Sequence, residues 1–110
     1  MGLRQIRMAD QIRDILGKCF SANQMMDPRL GGVTVTAVKL SKDLQIATVY
    51  FRVYGDSSKD DAKKGLESAS GFLRKKLAAS IDLRRVPELR FFYDESVEKA
   101  SRIEDLLRQL

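Results

Sequence analysis

With 110 residues, 44% of them hydrophobic and 32% charged, the chain has the composition of one globular domain, not of a disordered, fibrous or two-domain protein. It has neither an apolar run near the roughly 20 residues of a membrane span nor an apolar block at its N-terminus, which argues against a membrane or secreted protein and predicts a cytoplasmic one. The net charge of +5 is unevenly spread: residues 72–90 hold six Lys and Arg against two Asp and Glu, whereas residues 91–110 are acidic on balance.

From Leu3 to Phe20 the apolar residues Ile6, Ala9, Ile12, Ile15, Leu16, Cys19 and Phe20 recur at three- and four-residue spacing, which predicts an amphipathic helix. Ser21 to Gly32, with Asn23, Asp27, Pro28, Gly31 and Gly32, reads as a loop. Val33, Val35 and Ala37 then alternate with Thr34 and Thr36 as a first strand, and the alternation slips at Ala37 and Val38, as at a bulge. Ser41 to Leu44 supplies turn residues. Gln45 to Tyr54 is the second strand of a hairpin, with Ala47, Val49, Phe51 and Val53 on one face.

Ser58, followed three residues later by Asp61, resembles a capping box and opens a second helix that runs to about Ser80. Its apolar stripe is Ala62, Leu66, Ala69, Leu73 and Leu77. A basic loop from Ser80 to Glu88 precedes a third strand in which Leu89, Phe91 and Tyr93 alternate with Arg90 and Phe92. Because a helix joins the second and third strands, a right-handed crossover makes them parallel. An acidic amphipathic helix from about Ser96 closes the chain, with Val97, Ala100, Ile103, Leu106, Leu107 and Leu110 as its stripe. Ile12, Leu16, Val35, Val49, Phe51, Leu66, Leu73, Leu77 and Phe91 form the predicted core. Phe92 and Tyr50 are assigned mainly to packing as well.

The chain contains no histidine, so it lacks the commonest general base and the commonest metal ligand. With a single cysteine, Cys19, no zinc site follows. Asp60 and Asp61, like Glu104 and Asp105, are sequence neighbours that diverge on a helix and read as caps or solvated faces. Gly31 and Gly32 precede a strand, which is the wrong context for a phosphate loop. An enzyme is therefore not expected, nor a cofactor, a metal or a small-molecule substrate.

The positive signal lies on the second helix, where Lys63, Lys64, Gly71, Arg74 and Lys75 fall opposite the apolar stripe. A glycine among cations lets a phosphate backbone approach the main chain while the cations neutralise it. The plainer reading is that Gly71 serves helix packing and the lysines keep the surface soluble. Both stand on these residues alone.

Several segments together resemble the ribosome-binding factor A family: Arg4 and Arg7 on the first helix, Asp27-Pro28-Arg29-Leu30, Val33-Thr34-Val35-Thr36, and Ser41-Lys42-Asp43-Leu44 followed by Ala47-Thr48-Val49-Tyr50. Ala69-Ser70-Gly71-Phe72-Leu73-Arg74, Leu83-Arg84 before Val86-Pro87-Glu88-Leu89-Arg90-Phe91, and Asp94-Glu95-Ser96 complete the match, in order along nearly the whole chain. The resemblance implies an α+β, type II KH-like domain spanning 1–110, in the order α-β-β-α(kinked)-β-α. It has a three-stranded sheet with its helices packed on one face. The kink would fall at the Ala-x-Gly motif, here Ala69-Ser70-Gly71.

It further implies a non-catalytic assembly factor that binds the small (30S) ribosomal subunit and its 16S rRNA during late maturation and rRNA processing, with a role in cold adaptation. The residues expected at the RNA are Arg4, Arg7, Lys63, Lys64, Ala69, Ser70, Gly71, Arg74, Lys75, Lys76, Arg84 and Arg85. No membrane partner is expected, and the free protein is expected to be a monomer. The alternative is a protein-interaction module of the same fold whose basic face is incidental, for example a homodimer formed through a strand edge.

Overall fold

The computed structural model describes residues 2–21, 26–55, 58–82 and 84–110, so the expectations placed on Asn23 and Leu83 lie outside the described residues. The elements follow in the order α1 (Leu3–Ser21), a 3-10 turn (Pro28–Leu30), β1 (Val33–Leu40), β2 (Ile46–Val53), α2 (Lys59–Ser80), β3 (Glu88–Tyr93) and α3 (Ser96–Arg108). The sheet order is β1-β2-β3, with β1 antiparallel and β3 parallel to β2. This is the predicted α+β arrangement, and the parallel pair follows from the α2 crossover.

Helical periodicity selects what is buried. Ala9, Ile12, Leu16 and Cys19 of α1 and Ala62, Gly65, Leu66, Leu73 and Leu77 of α2 pack on one face of the sheet. The strands meet them with Val33, Leu40, Ala47, Val49, Phe51, Leu89 and Phe91. Every residue of the predicted core is buried except Val35, which is half-buried against it. Cys19 is a buried thiol, and desolvation pushes its pKa up, as for a small hydrophobe with no redox partner.

The β1–β2 register shifts between Val35 and Ala37, one residue before the expected slip, leaving Thr36 as the extra residue. The consequence is an exchange of faces. Val38 and Leu40 lie opposite Val49 and Ala47 and turn inward, while Ala37 and Lys39 lie opposite Tyr50 and Thr48 and turn outward. The Thr36 hydroxyl donates to Asp94 Oδ2 at 2.6 Å. That bond, with the Ser96 amide donating to Asp94 Oδ1 at 2.9 Å, lowers the Asp94 pKa to about 2.

Two expectations are corrected and a third, the kink in α2, is narrowed. The loop before β1 contains a 3-10 turn, whose N-cap Asp27 accepts the Arg29 amide at 3.0 Å and whose Leu30 is buried. α2 is continuous α-helix from Lys59 to Ser80, so the kink implied at Ala69-Ser70-Gly71 does not interrupt its hydrogen bonding. α3 is helical but not packed on the sheet with α1 and α2. It is anchored at its first turn, where Arg52 donates to Glu98 Oε1 at 2.9 Å and to the Asp94 carbonyl at 2.8 Å. None of its residues is buried, and Val97, Ile103, Leu106 and Leu107 are all more than half exposed. Its apolar stripe is real, but no described element is placed to cover it.

Candidate nucleic-acid interface

Two structural facts orient α2. Ser58 Oγ accepts the Asp61 amide at 3.3 Å and fixes the first turn, where Asp60 and Asp61 also suit the helix dipole. The buried stripe then holds the opposite side in solvent. Lys63, Lys64, Gly71, Arg74 and Lys75 are all exposed there, with the carboxylates Asp60 and Glu67 in the same arc. A Cβ built on Gly71 would meet nothing within 4 Å. Gly71 therefore serves no tight packing in this chain, and its main chain is open to an approaching group.

The cations of this arc are not equivalent. The Lys63 ammonium lies 5.5 Å from the centre of the Phe92 ring. Arg74 Nη2 donates to the Val86 carbonyl at 3.1 Å, so this side chain also steadies the α2–β3 loop. Lys64 and Lys75 form no ion pair among the described residues. Ser70 is half-buried beside the arc, whereas Ala69 belongs to the apolar stripe and packs against the core, so it is not brought together with the other expected RNA contacts. Lys76 is on another side of the helix: it is partly buried, lies 5.4 Å from the Phe72 ring, and its charge reaches Cys19.

A second group of expected site residues converges from distant parts of the chain. Arg4 of α1 and Arg84 and Arg85 of the α2–β3 loop line one cleft of about 520 Å³, closed by Leu44, Asp43 and Asp82. The hairpin turn forms one wall. Leu44 has φ 61°, a left-handed conformation that costs a non-glycine residue about 1 kcal/mol. It is held there by its amide donating to the Ser41 carbonyl at 3.0 Å, while Ser41 Oγ donates to Asp43 Oδ1 at 2.6 Å. The Ser41 hydroxyl and the Gln45 amide lower the Asp43 pKa, so two carboxylates partly offset three guanidinium groups. Arg7 is exposed on α1 and does not line this cleft.

The sequence reading missed the outer face of the sheet. Phe92 is 46% exposed and Tyr50 half-buried, with ring centres 6.3 Å apart, on the face that neither α1 nor α2 covers. The assignment of both to packing is corrected. Strict alternation with buried Leu89 and Phe91 already places Phe92 outside. Among the described residues no three His, Cys, Asp or Glu side chains gather as a metal site, and no helix is long and apolar enough to cross a membrane.

Comparison with known proteins gives a family and close structural neighbours. The profile of the family described as Ribosome-binding factor A matches residues 4–107. The crystal structure of ribosome-binding factor A from Thermus thermophilus is similar, with a TM-score of 0.76 and 30% identity over 84% of this chain and 97% of that one. A homology model of the Thermus thermophilus factor, fitted into a cryo-EM map of its complex with the 30S subunit, gives a TM-score of 0.69. Its identity is 31% over 83% of this chain and 96% of that one. A Thermotoga maritima protein solved in solution is 27% identical over 86% of this chain and 90% of that one, with a TM-score of 0.71.

Proposed function

This chain belongs to the ribosome-binding factor A family, and we propose that it binds the small ribosomal subunit and its 16S rRNA as a non-catalytic factor of late maturation. The observation that carries this reading is the exposed arc of Lys63, Lys64, Arg74 and Lys75 around the open main chain of Gly71. Such an arc neutralises phosphates and releases counterions, while the bare glycine admits the RNA backbone more closely than any side chain would. Arg4, Arg84 and Arg85 at their cleft, and Arg7 on α1, are the further phosphate contacts of the proposal. Lys76, turned toward α1 and Phe72, has the weakest claim of the expected residues.

The similarity to a Thermus factor fitted on a 30S subunit supports the same partner here. Binding energy alone suffices for this role, because a factor with different affinities for two RNA conformations shifts the population toward the one it prefers. The KH-like identity of the domain, action in the cytoplasm as a monomer, participation in rRNA processing and cold adaptation belong to the same proposal.

Co-sedimentation with purified ribosomal subunits tests it. The protein is expected to travel with small subunits, more with immature than with mature ones, and not with large subunits. Equal association with both subunits at physiological salt would overturn it.

A further inference from the structure

We propose that the open face of the sheet is a stacking platform for two unpaired bases of an RNA strand. Pairing across the sheet arranges this face in rows. The middle row is Ala37, Tyr50 and Phe92, and the row beside it is Lys39, Thr48 and Arg90. Small Ala37 leaves the flank of the Tyr50 ring open. The Thr36 bulge is what brings Ala37 and Lys39 to this side, since unbroken alternation from Val33 and Val35 would turn Ala37 inward.

The two rings, 6.3 Å apart and tilted by 38°, offer separate surfaces instead of one sandwich. Each has an ammonium over its ring, Lys39 at 5.6 Å from the Tyr50 centre and Lys63 at 5.5 Å from that of Phe92, and a stacking base takes that place while the flexible lysine swings to the strand's phosphates. The other charges on the face, among the described residues, are Arg52, paired to Glu98, Arg90, whose contact with Glu88 is 3.5 Å, and Asp94, held by the Thr36 hydroxyl. On this face cations outnumber carboxylates around a pair of aromatic rings. That suits a nucleic-acid strand, whose bases stack while its phosphates take up the ammonium groups. It does not suit a second copy of itself, which would set Lys39, Arg90 and Lys63 against their own kind.

The inference rests on the RNA-binding reading of the chain and adds a second surface, which meets the α2 arc at Lys63 and differs from it in offering aromatic rings. Its test uses labelled oligoadenylate of about eight nucleotides, a length within the usual range for such sites, single-stranded and as a duplex with oligouridylate. Phe92→Leu and Tyr50→Leu are each expected to weaken single-strand binding at least about fivefold, with duplex binding unchanged. Because the chain has no tryptophan, Phe92→Trp gives a unique fluorophore, expected to be quenched to saturation by the single strand. A folded Phe92→Leu protein that binds the single strand as the parent does would overturn the platform, as would binding by Phe92→Trp without quenching, or no single-strand binding by the parent. Retained small-subunit association in the same variants would show that the proposed function survives the loss of the platform.

Discussion

Gly65 and Gly71 sit six residues apart on α2, and the structure predicts different results when each becomes alanine. In a helix interior the exchange gains about 1 kcal/mol from propensity, a term that is the same at both sites. At Gly71 nothing opposes it, because the new Cβ points into open space. At Gly65 the Cβ would lie 3.0 Å from Leu30 Cδ2 and 3.3 Å from Arg29 Cβ. Leu30 is buried and Arg29 is tied to Asp27 by a 2.6 Å ion pair, so neither neighbour yields freely. Overpacking of this kind costs about 1–3 kcal/mol. The difference between the two variants is that cost alone. For a chain of this size 1 kcal/mol corresponds to roughly 4 °C in Tm, so Gly71→Ala should melt about 4–12 °C above Gly65→Ala by circular dichroism. Equal Tm values would refute the seating of the 3-10 turn on α2. Gly71→Ala should also bind small-subunit RNA more weakly than the parent while being the more stable protein, and unchanged binding would remove Gly71 from the interface.

Two further outcomes follow from the core and from Asp94. Leu73→Ala, at a fully buried position, should lower stability in urea by about 2–5 kcal/mol, and a loss under about 1 kcal/mol would contradict its place in the core. Asp94, with its pKa lowered to about 2, contributes stability that is present above about pH 4 and is lost as the pH falls through about 2. Discounted for solvent screening, that contribution is about 1 kcal/mol. The urea midpoint of the parent should therefore fall more steeply than that of Asp94→Asn over this range, and parallel curves would contradict the Thr36–Asp94 bond.

Much of the fold was legible because burial and periodicity coincide. The α1 stripe apart from exposed Ile6, the α2 stripe, the Ala47-Val49-Phe51 face and the Ser58 cap are local patterns, and each is where the sequence put it. What was not legible depends on partners distant in sequence. The bulge moved one residue, to Thr36, because its hydroxyl meets Asp94 across 58 residues. Gly65 carries no signal in its own segment because its reason is Leu30, on a turn without periodicity. The α3 stripe predicted a packed helix, but amphipathicity states only that a face wants cover, not that the same chain supplies it. At the candidate interface the α2 arc could be read from helical phase, whereas the meeting of Arg4 with Arg84 and Arg85 could not. Arg74 looked like a free cation, and its bond to the Val86 carbonyl makes it a poor residue for an RNA-binding test.

The measurement that bears most directly on RNA binding is therefore the salt dependence of small-subunit binding for Lys64→Ala with Lys75→Ala. Both side chains are exposed and make no ion pair among the described residues, so folding should be unaffected. With a slope of about −0.7 to −0.9 per phosphate neutralised, losing two contacts should lower affinity and reduce the magnitude of the log–log slope by roughly one to two units. The control Glu104→Ala on α3 should leave the slope as it is. A folded double variant with the affinity and slope of the parent would contradict the account and move the RNA surface to Arg4, Arg84 and Arg85.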